Sequence, residues 1–297
     1  MARILILGAR GQLGTSLARR LAEHSPTALD RDELDVGDPQ AVDRQLGRIR
    51  PEIVLNAAAF NDVDGAETRI DEAFRGNAVA PWLLARASRA CGALFVHFST
   101  DYVFRGDARA PYGEDDAPAP PGVYGASKLA GERLVAAANP VHMLIRTAAV
   151  FGRAARPPKR RSFIDTMVAL AGSRPLRVVD DQRVSPTWAE DLAAKTVELA
   201  LRWRVSRSAD LLGLFHVTNS GSCTWYELAR EALRRSGIDA AIEPITTAAY
   251  GARAPRPAYS VLAHRRLERL GLDDLPPWQE AVGAYLRGER GREDGLG

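Results

Sequence analysis

The chain has 297 residues, 46% hydrophobic and 26% charged, a balance that supports a full core and excludes both a disordered polymer and a disulfide-stapled miniature. Lys and Arg number 40 against 37 Asp and Glu, a net charge of +3, which is too small and too dispersed for a nucleic-acid footprint. The two cysteines, Cys91 and Cys223, show neither metal-ligand spacing nor a Cys-x-x-Cys, so a zinc site and a disulfide framework are excluded and a reducing compartment fits.

The N-terminus opens with a short apolar run that ends at Gly8, too short for a secretory core. No stretch approaches the roughly 20 apolar residues of a membrane helix, so a cytoplasmic protein is expected. Ile4 to Leu7 reads as a buried strand, Gly8 to Gly14 as a turn, and Thr15 to Glu23 as a helix with Leu17, Ala18 and Leu21 at helical spacing. Further strands are predicted at Thr27 to Leu29, Ile53 to Asn56, Leu94 to Ser99 and Met143 to Arg146. Helices are predicted at Gln40 to Arg48, Ala80 to Ala90 and Ser127 to Ala137. This alternation describes an α/β fold, a doubly wound parallel sheet.

After about residue 150 the rhythm changes. A basic loop, Arg153 to Arg161, precedes predicted helices at Phe163 to Ala171, Ala189 to Arg204, Thr224 to Ser236 and Pro277 to Leu286. The division predicted is a cofactor domain over 1–148 and a smaller substrate lobe over 149–297, with the helix near 189–204 returning to the first domain. The tail from Gly288 is charged and glycine-rich and is expected to fray.

Three groups of residues carry chemistry. Gly8-Ala9-Arg10-Gly11-Gln12-Leu13-Gly14 lies between a strand and a helix, where glycines let a pyrophosphate approach helix N–H groups. Asp30, at the end of the second strand, suits a ribose hydroxyl and favours NADH, whereas Arg10 and Arg31 suit the extra phosphate of NADPH, so the cofactor is NADPH or NADH. Asp35 and Val36 flank the adenine position. Tyr124 and Lys128, four residues apart on a helix, meet across one turn, and the ammonium is expected to make the phenol more acidic. Ser99-Thr100-Asp101-Tyr102 closes a strand at the carboxyl edge of the sheet, where such sheets bind ligands. His97 and His216 read as core residues. Asn61, Asp62, Asp64 and Glu67 open a helix, where acids favour the dipole, and no metal site is expected.

The glycine turn, Asn56-Ala57-Ala58-Ala59, His97 to Phe104, and Tyr124-Gly125-Ala126-Ser127-Lys128-Leu129-Ala130-Gly131-Glu132 together resemble an extended short-chain dehydrogenase/reductase. Within that superfamily they most resemble the dTDP-4-dehydrorhamnose reductase family. The likeness continues through Asp181-Gln182, Ser185-Pro186-Thr187, Phe215-His216-Val217, Thr224-Trp225, Arg256-Pro257 with Ser260, and Pro277-Trp278.

The resemblance implies a Rossmann domain with a sugar-nucleotide lobe and reduction of a C4 ketone on a deoxyhexose linked to a nucleoside diphosphate. It implies Tyr124 as proton donor, Lys128 as its tuner and holder of the nicotinamide ribose, and Thr100 as hydrogen-bond partner of the reacting oxygen. Gly8, Arg10, Gly11, Gln12, Leu13 and Gly14 would surround the pyrophosphate. Asp30, Arg31, Asp35 and Val36 would meet the adenosine end, and Ala58, Ala59 and Phe60 the middle of the dinucleotide. Thr100, Asp101, Tyr102 and Ala149 would face the sugar. The family carries a tryptophan at the place of Ala149, which leaves the exact sugar open and admits a modified deoxysugar such as that of dTDP-dihydrostreptose. A sugar-nucleotide epimerase or dehydratase and a redox-silent binding subunit are the competing readings. The expected partners are the nucleotide sugar and at most a second copy of the chain, with no nucleic acid and no membrane.

Overall fold

The computed structural model describes residues 1–155, 162–173 and 175–288. Within them the chain runs β1 (Ile4–Leu7), α1 (Gln12–Arg20), β2 (Thr27–Leu29), α2 (Pro39–Ile49), β3 (Ile53–Asn56), α3 (Val63–Ala66), α4 (Ile70–Phe74), α5 (Ala80–Ala90), β4 (Leu94–Thr100), α6 (Val123–Ala138), β5 (His142–Thr147) and β6 (Val150–Phe151). It continues with α7 (Phe163–Leu170), β7 (Leu176–Val179), β8 (Arg183–Val184), β9 (Thr187–Trp188), α8 (Ala189–Ser206), β10 (Gly213–His216), β11 (Cys223–Thr224), α9 (Trp225–Arg235), β12 (Ile242–Ile245), α10 (Thr247–Tyr250), α11 (Arg265–Leu270) and α12 (Trp278–Arg287).

Six parallel strands form the central sheet in the order β10-β5-β4-β3-β1-β2. Their near-continuous apolar character follows from burial on both faces. Alternate residues of one strand go to opposite sides: Ile4 and Ile6 join the core layer under α1 and α8, while Leu5 and Leu7 join the layer under α2 and α5. The helix Ala189–Ser206 packs along α1, and β10 completes the sheet from beyond residue 200.

Element ends differ from the sequence expectation for local reasons. The first helix starts at Gln12 rather than Thr15, because extended Gly11 already caps it and Gly14 fits inside the first turn. A Cβ at Gly14 would lie 2.1 Å from the Gly8 carbonyl oxygen. Asp38 caps α2 by accepting from Gln40 N and Ala41 N, with Pro39 at the first position. The catalytic-motif helix starts at Val123, four residues before the expected Ser127, so Tyr124 lies inside it. Helices α4 and α5 are joined without a break by a π-turn over Arg75–Val79, a local widening frequent at functional sites.

The smaller lobe gathers α7, α9 and α12 around Phe151, Trp188, Leu228 and Trp278, with β7 and β12 pairing in parallel alongside. Thr224 begins α9 with a capping box: it accepts from Glu227 N at 3.1 Å while Glu227 accepts from Thr224 N at 2.8 Å. Arg156, Lys159, Arg160 and Arg161 of the basic loop, and the tail beyond Gly288, lie outside the described residues.

Two glycines on helices should respond in opposite directions. A Cβ at Gly131 of α6 would lie 2.0 Å from the Asn77 carbonyl oxygen, whereas one at Gly47 of α2 meets nothing within 4 Å. Gly131→Ala should therefore lower unfolding stability by about 1–3 kcal/mol, and Gly47→Ala should raise it by about 0.5–1 kcal/mol. Urea denaturation of both variants checks this, and a neutral Gly131→Ala would show the helix-to-helix contact to be looser than described.

Candidate active site

One cavity of about 1450 Å³ runs along the carboxyl edge of the sheet. It collects every residue singled out from the sequence as cofactor, catalytic or substrate group, Gly8 and Ala149 among them. Gly8 has φ +71°, and a Cβ there would lie 2.7 Å from Ala58 N. Gly11 is exposed, and the first turn of α1 has neither a side-chain cap nor an acid. The result is a helix N-terminus open to an anion, with backbone on both sides close enough for a pyrophosphate.

At the next position along the edge, Asp30 accepts from Arg10 N at 3.2 Å and Arg31 N at 2.7 Å, one bond to each carboxylate oxygen. Those bonds fix it at the end of β2 with lone pairs left for ribose hydroxyls. The Arg10 guanidinium pairs with Asp32 at 3.2 Å and Glu33 at 3.5 Å, while Arg31 also lines the cavity. Asp35 accepts from Gly37 N at 2.9 Å and so shapes its own turn. Ala58 N donates to Asn56 Oδ1 at 3.2 Å, and Phe60 is held on both sides by Asn77, its N–H donating at 2.8 Å and its carbonyl accepting at 3.0 Å. A cradle that a single methyl group would fill, an uncapped helix start and an anchored acid at the second strand fit a nicotinamide dinucleotide.

Tyr124 and Lys128 occupy successive turns of one face of α6, and both line the cavity beside Thr100. The Lys128 ammonium donates to the Phe98 carbonyl oxygen at 2.5 Å. Burial pushes its pKa down to about 8, against the pull of Glu132 one turn further along. For the phenol the structure corrects the expected acidification. Burial and the Asp101 charge push Tyr124 up to about 12, with the Thr100 hydroxyl acting in the opposite sense. Desolvation dominates because the phenolate, not the phenol, suffers from leaving water. Tyr124 is therefore protonated at neutral pH.

Asp101 lines the cavity but is only 2% exposed. Ser260 Oγ donates to one of its oxygens at 2.5 Å and Thr100 Oγ1 to the other at 3.1 Å, so it holds its neighbours more than it presents to a sugar. Tyr102 stands edge-on to Tyr124, ring centroids 5.9 Å apart, and faces Arg256. Arg256 was quoted in the sequence only as part of a motif; here its guanidinium lines the cavity and is held by Asp64 at 3.1 Å. Gln182, Trp225, Phe163 and Tyr250 line the same cavity, brought there from four separate segments that no local spacing links. Ala149 also lines it, with φ +43°. Arg153 is turned elsewhere, over the Tyr285 ring at 5.8 Å.

His97 is fully buried, with Nδ1 3.1 Å from Asn56 Nδ2, and burial holds its pKa well below the usual imidazole range. It is a neutral core residue, as is His216, pushed down to about 3 by burial and by Arg146. Among the described residues no group of three or more His, Cys, Asp or Glu is arranged to hold a metal ion, and no helix is long and apolar enough to cross a membrane.

Comparison with known proteins follows the same outline. The family model described as RmlD substrate binding domain matches residues 2–290. A probable dTDP-4,6-dihydroxy-2-methyloxan-3-one 4-ketoreductase of Streptomyces antibioticus is 46% identical, over 94% of this chain and 93% of that one. A dTDP-4-dehydrorhamnose reductase of Burkholderia thailandensis is 41% identical, over 96% and 98%. The crystal structure of a dTDP-4-dehydrorhamnose reductase from Bacillus anthracis in complex with NADP superposes with a TM-score of 0.90 at 34% identity, over 97% of this chain and 99% of that one.

Burial of Asp101 carries a stability signature. Its pKa is raised from 3.8 to about 6, so between those values the folded chain keeps a proton that the unfolded chain has lost. The group favours folding below its unfolded value, and that contribution disappears as pH rises through about 6. Relative to Asp101→Asn, the wild type should lose about 2 kcal/mol of unfolding stability from pH ~4 to pH ~7. Denaturation curves for both proteins across that range provide the test, and parallel pH dependences would refute it.

Proposed function

As a member of the RmlD substrate binding domain family, the chain is, we propose, a reductase of the C4 ketone of a dTDP-linked 4-keto-6-deoxyhexose. The substrate is dTDP-4-dehydrorhamnose, the product dTDP-rhamnose and the reductant NADPH or NADH. The observation that carries this reading is the convergence of Tyr124, Lys128 and Thr100 in the same cavity as the glycine turn.

The bound dinucleotide supplies hydride to the ketone carbon. Tyr124 donates the matching proton to the oxygen that becomes the alkoxide, a transfer suited to a phenol kept protonated by burial and by Asp101. Lys128, also suited to holding the nicotinamide ribose, places an ammonium near the phenolate left behind. Thr100 meets the reacting oxygen, and Asp101 keeps its binding to Ser260 when the Thr100 hydroxyl turns to substrate. The cofactor groups lie in residues 1–148, and the sugar-nucleotide end is assigned to 149–297 together with Tyr102. A soluble dinucleotide and a nucleotide sugar as reactants support a cytoplasmic setting.

A modified deoxysugar ketone is a second reading. It is favoured by the small Ala149 on the cavity wall and by the 46% identity to a relative named as a 4-ketoreductase of another deoxysugar. A dehydratase is disfavoured, since the Thr100-Asp101 pair is followed by Tyr102 where an eliminating acid pair would need a second carboxylate.

Purified protein should oxidise NADPH or NADH in the presence of dTDP-4-dehydrorhamnose, followed by loss of nicotinamide absorbance. No turnover with either cofactor would remove this substrate, and turnover only with other nucleotide-linked 4-keto sugars would select the second reading. Tyr124→Phe should retain dinucleotide binding and lose about 10²–10⁴-fold in kcat. An unchanged kcat would place the proton donor elsewhere.

A further inference from the structure

We infer that Glu67 is a positioning residue for the reaction: from a neighbouring helix it supplies the N-terminal cap of the turn that carries Tyr124. The inference uses the reductase reading only for the role given to Tyr124.

A helix start leaves its first N–H groups without intrahelical partners, and a side chain at the N-cap usually serves one of them. In α6 the N-cap is Gly122, extended at φ −137° and ψ 172°, with no side chain to offer and no acid in the first turn. Tyr124 is the second residue of this helix, the part most prone to fray without a cap. Glu67 fills the role from outside. Its Oε1 accepts from Val123 N at 2.9 Å.

Gly122 is what admits it. A Cβ at that position would lie 2.8 Å from Glu67 Oε1, so a local Ser or Asp cap and the Glu67 carboxylate would compete for one space. A carboxylate at a helix N-terminus also meets the favourable end of the dipole.

Glu67 is itself held in place. It ends α3, whose own N-cap Asp62 accepts from Gly65 N at 3.1 Å and pairs with Arg69 at 2.6 Å. The following turn closes as Arg69 N donates to Gly65 O at 2.9 Å. One turn before Glu67, Asp64 accepts from Ala254 N and from the Arg256 guanidinium, both at 3.1 Å. The short helix thus joins the start of α6 to the segment that carries Arg256. On the other side, Ser127 Oγ donates to the Tyr124 carbonyl at 2.8 Å and accepts from Asn77 Nδ2 at 3.1 Å. Tyr124 is clamped between Glu67 before it and the Asn77–Ser127 pair after it. A displacement of about 1 Å in such a group is enough to lose up to two orders of magnitude in rate.

The test compares Glu67→Ala with Glu67→Gln, which keeps an acceptor oxygen. Glu67→Ala should lower kcat about tenfold to a hundredfold while NADPH affinity, read by fluorescence quenching, stays at the wild-type value. Amide exchange at Val123 should quicken in the same variant. Glu67→Gln should restore most of kcat and the slow exchange. Wild-type kcat and exchange in Glu67→Ala, or equal impairment of both variants, would overturn the inference. A wild type that reduces no nucleotide-linked keto sugar would instead sink the reductase reading, and the Val123 exchange rates of the two variants would still decide the cap.

Discussion

The geometry of the candidate site depends on a buried ion pair two turns below the Tyr124 phenol. Glu132 takes Arg146 in a bidentate grip, at 2.9 Å from Nε and 2.7 Å from Nη2, and accepts from Ser99 Oγ at 2.5 Å. The two side chains are 4% and 2% exposed. Such a pair adds little net stability, because desolving both charges offsets their attraction. Its value here is one of register. Tyr124, Lys128 and Glu132 recur every four residues on one face of α6, so locking Glu132 to β5 and to Ser99 of β4 sets the height and rotation of the two residues above it. Phe104 closes the far side of Arg146, its ring 5.0 Å from the guanidinium carbon.

Dryness then sets the protonation states. Taking a group out of water disfavours its charged form, which raises Tyr124 and Asp101 and lowers Lys128. A phenol near 12 stays protonated at neutral pH and can give its proton to a stronger base such as an alkoxide. The lysine near 8, its charge favoured by Glu132, still carries that charge at neutral pH, so a cation lies one turn along α6 from the Tyr124 phenol.

Much of this was legible in the sequence. Five of the six central strands and most of the long helices follow from apolar period and from glycine and proline placement, and each candidate site residue falls on the wall of one cavity. What escaped has a common physical character. The cap from Glu67 to Val123, the Ser260–Asp101 bond and the Asp64–Arg256 pair join residues 56 to 192 positions apart, and no local pattern encodes such distances. Asp64 and Glu67 looked like dipole-serving acids because their nearest helix is their own. The π-turn at Arg75–Val79 likewise has no period to betray it; it becomes intelligible once Asn77 is seen bonded to Phe60 and Ser127.

The substrate end obeys a different logic. Ala149 adopts a left-handed backbone, φ +43°, a conformation that costs a non-glycine residue about 1–2 kcal/mol. It sits between β5 and β6, where the chain leaves the edge of the sheet and the Ala149 carbonyl accepts from Thr187 N at 3.4 Å. Strain that persists on a cavity wall is a property the surrounding packing enforces: Phe151 and Trp188, facing each other as the second residues of β6 and β9, are buried in the lobe core and fix the exit path. The direction of the position 149 side chain is thereby set by the scaffold, while its size is left to the residue chosen. With a methyl group there, position 149 adds little bulk to the wall, while Tyr102, Arg256, Gln182 and Trp225 bring larger polar and aromatic groups to the same cavity. The scaffold thus fixes the backbone in both places, α6 by the Glu132–Arg146 lock and position 149 by the buried Phe151 and Trp188.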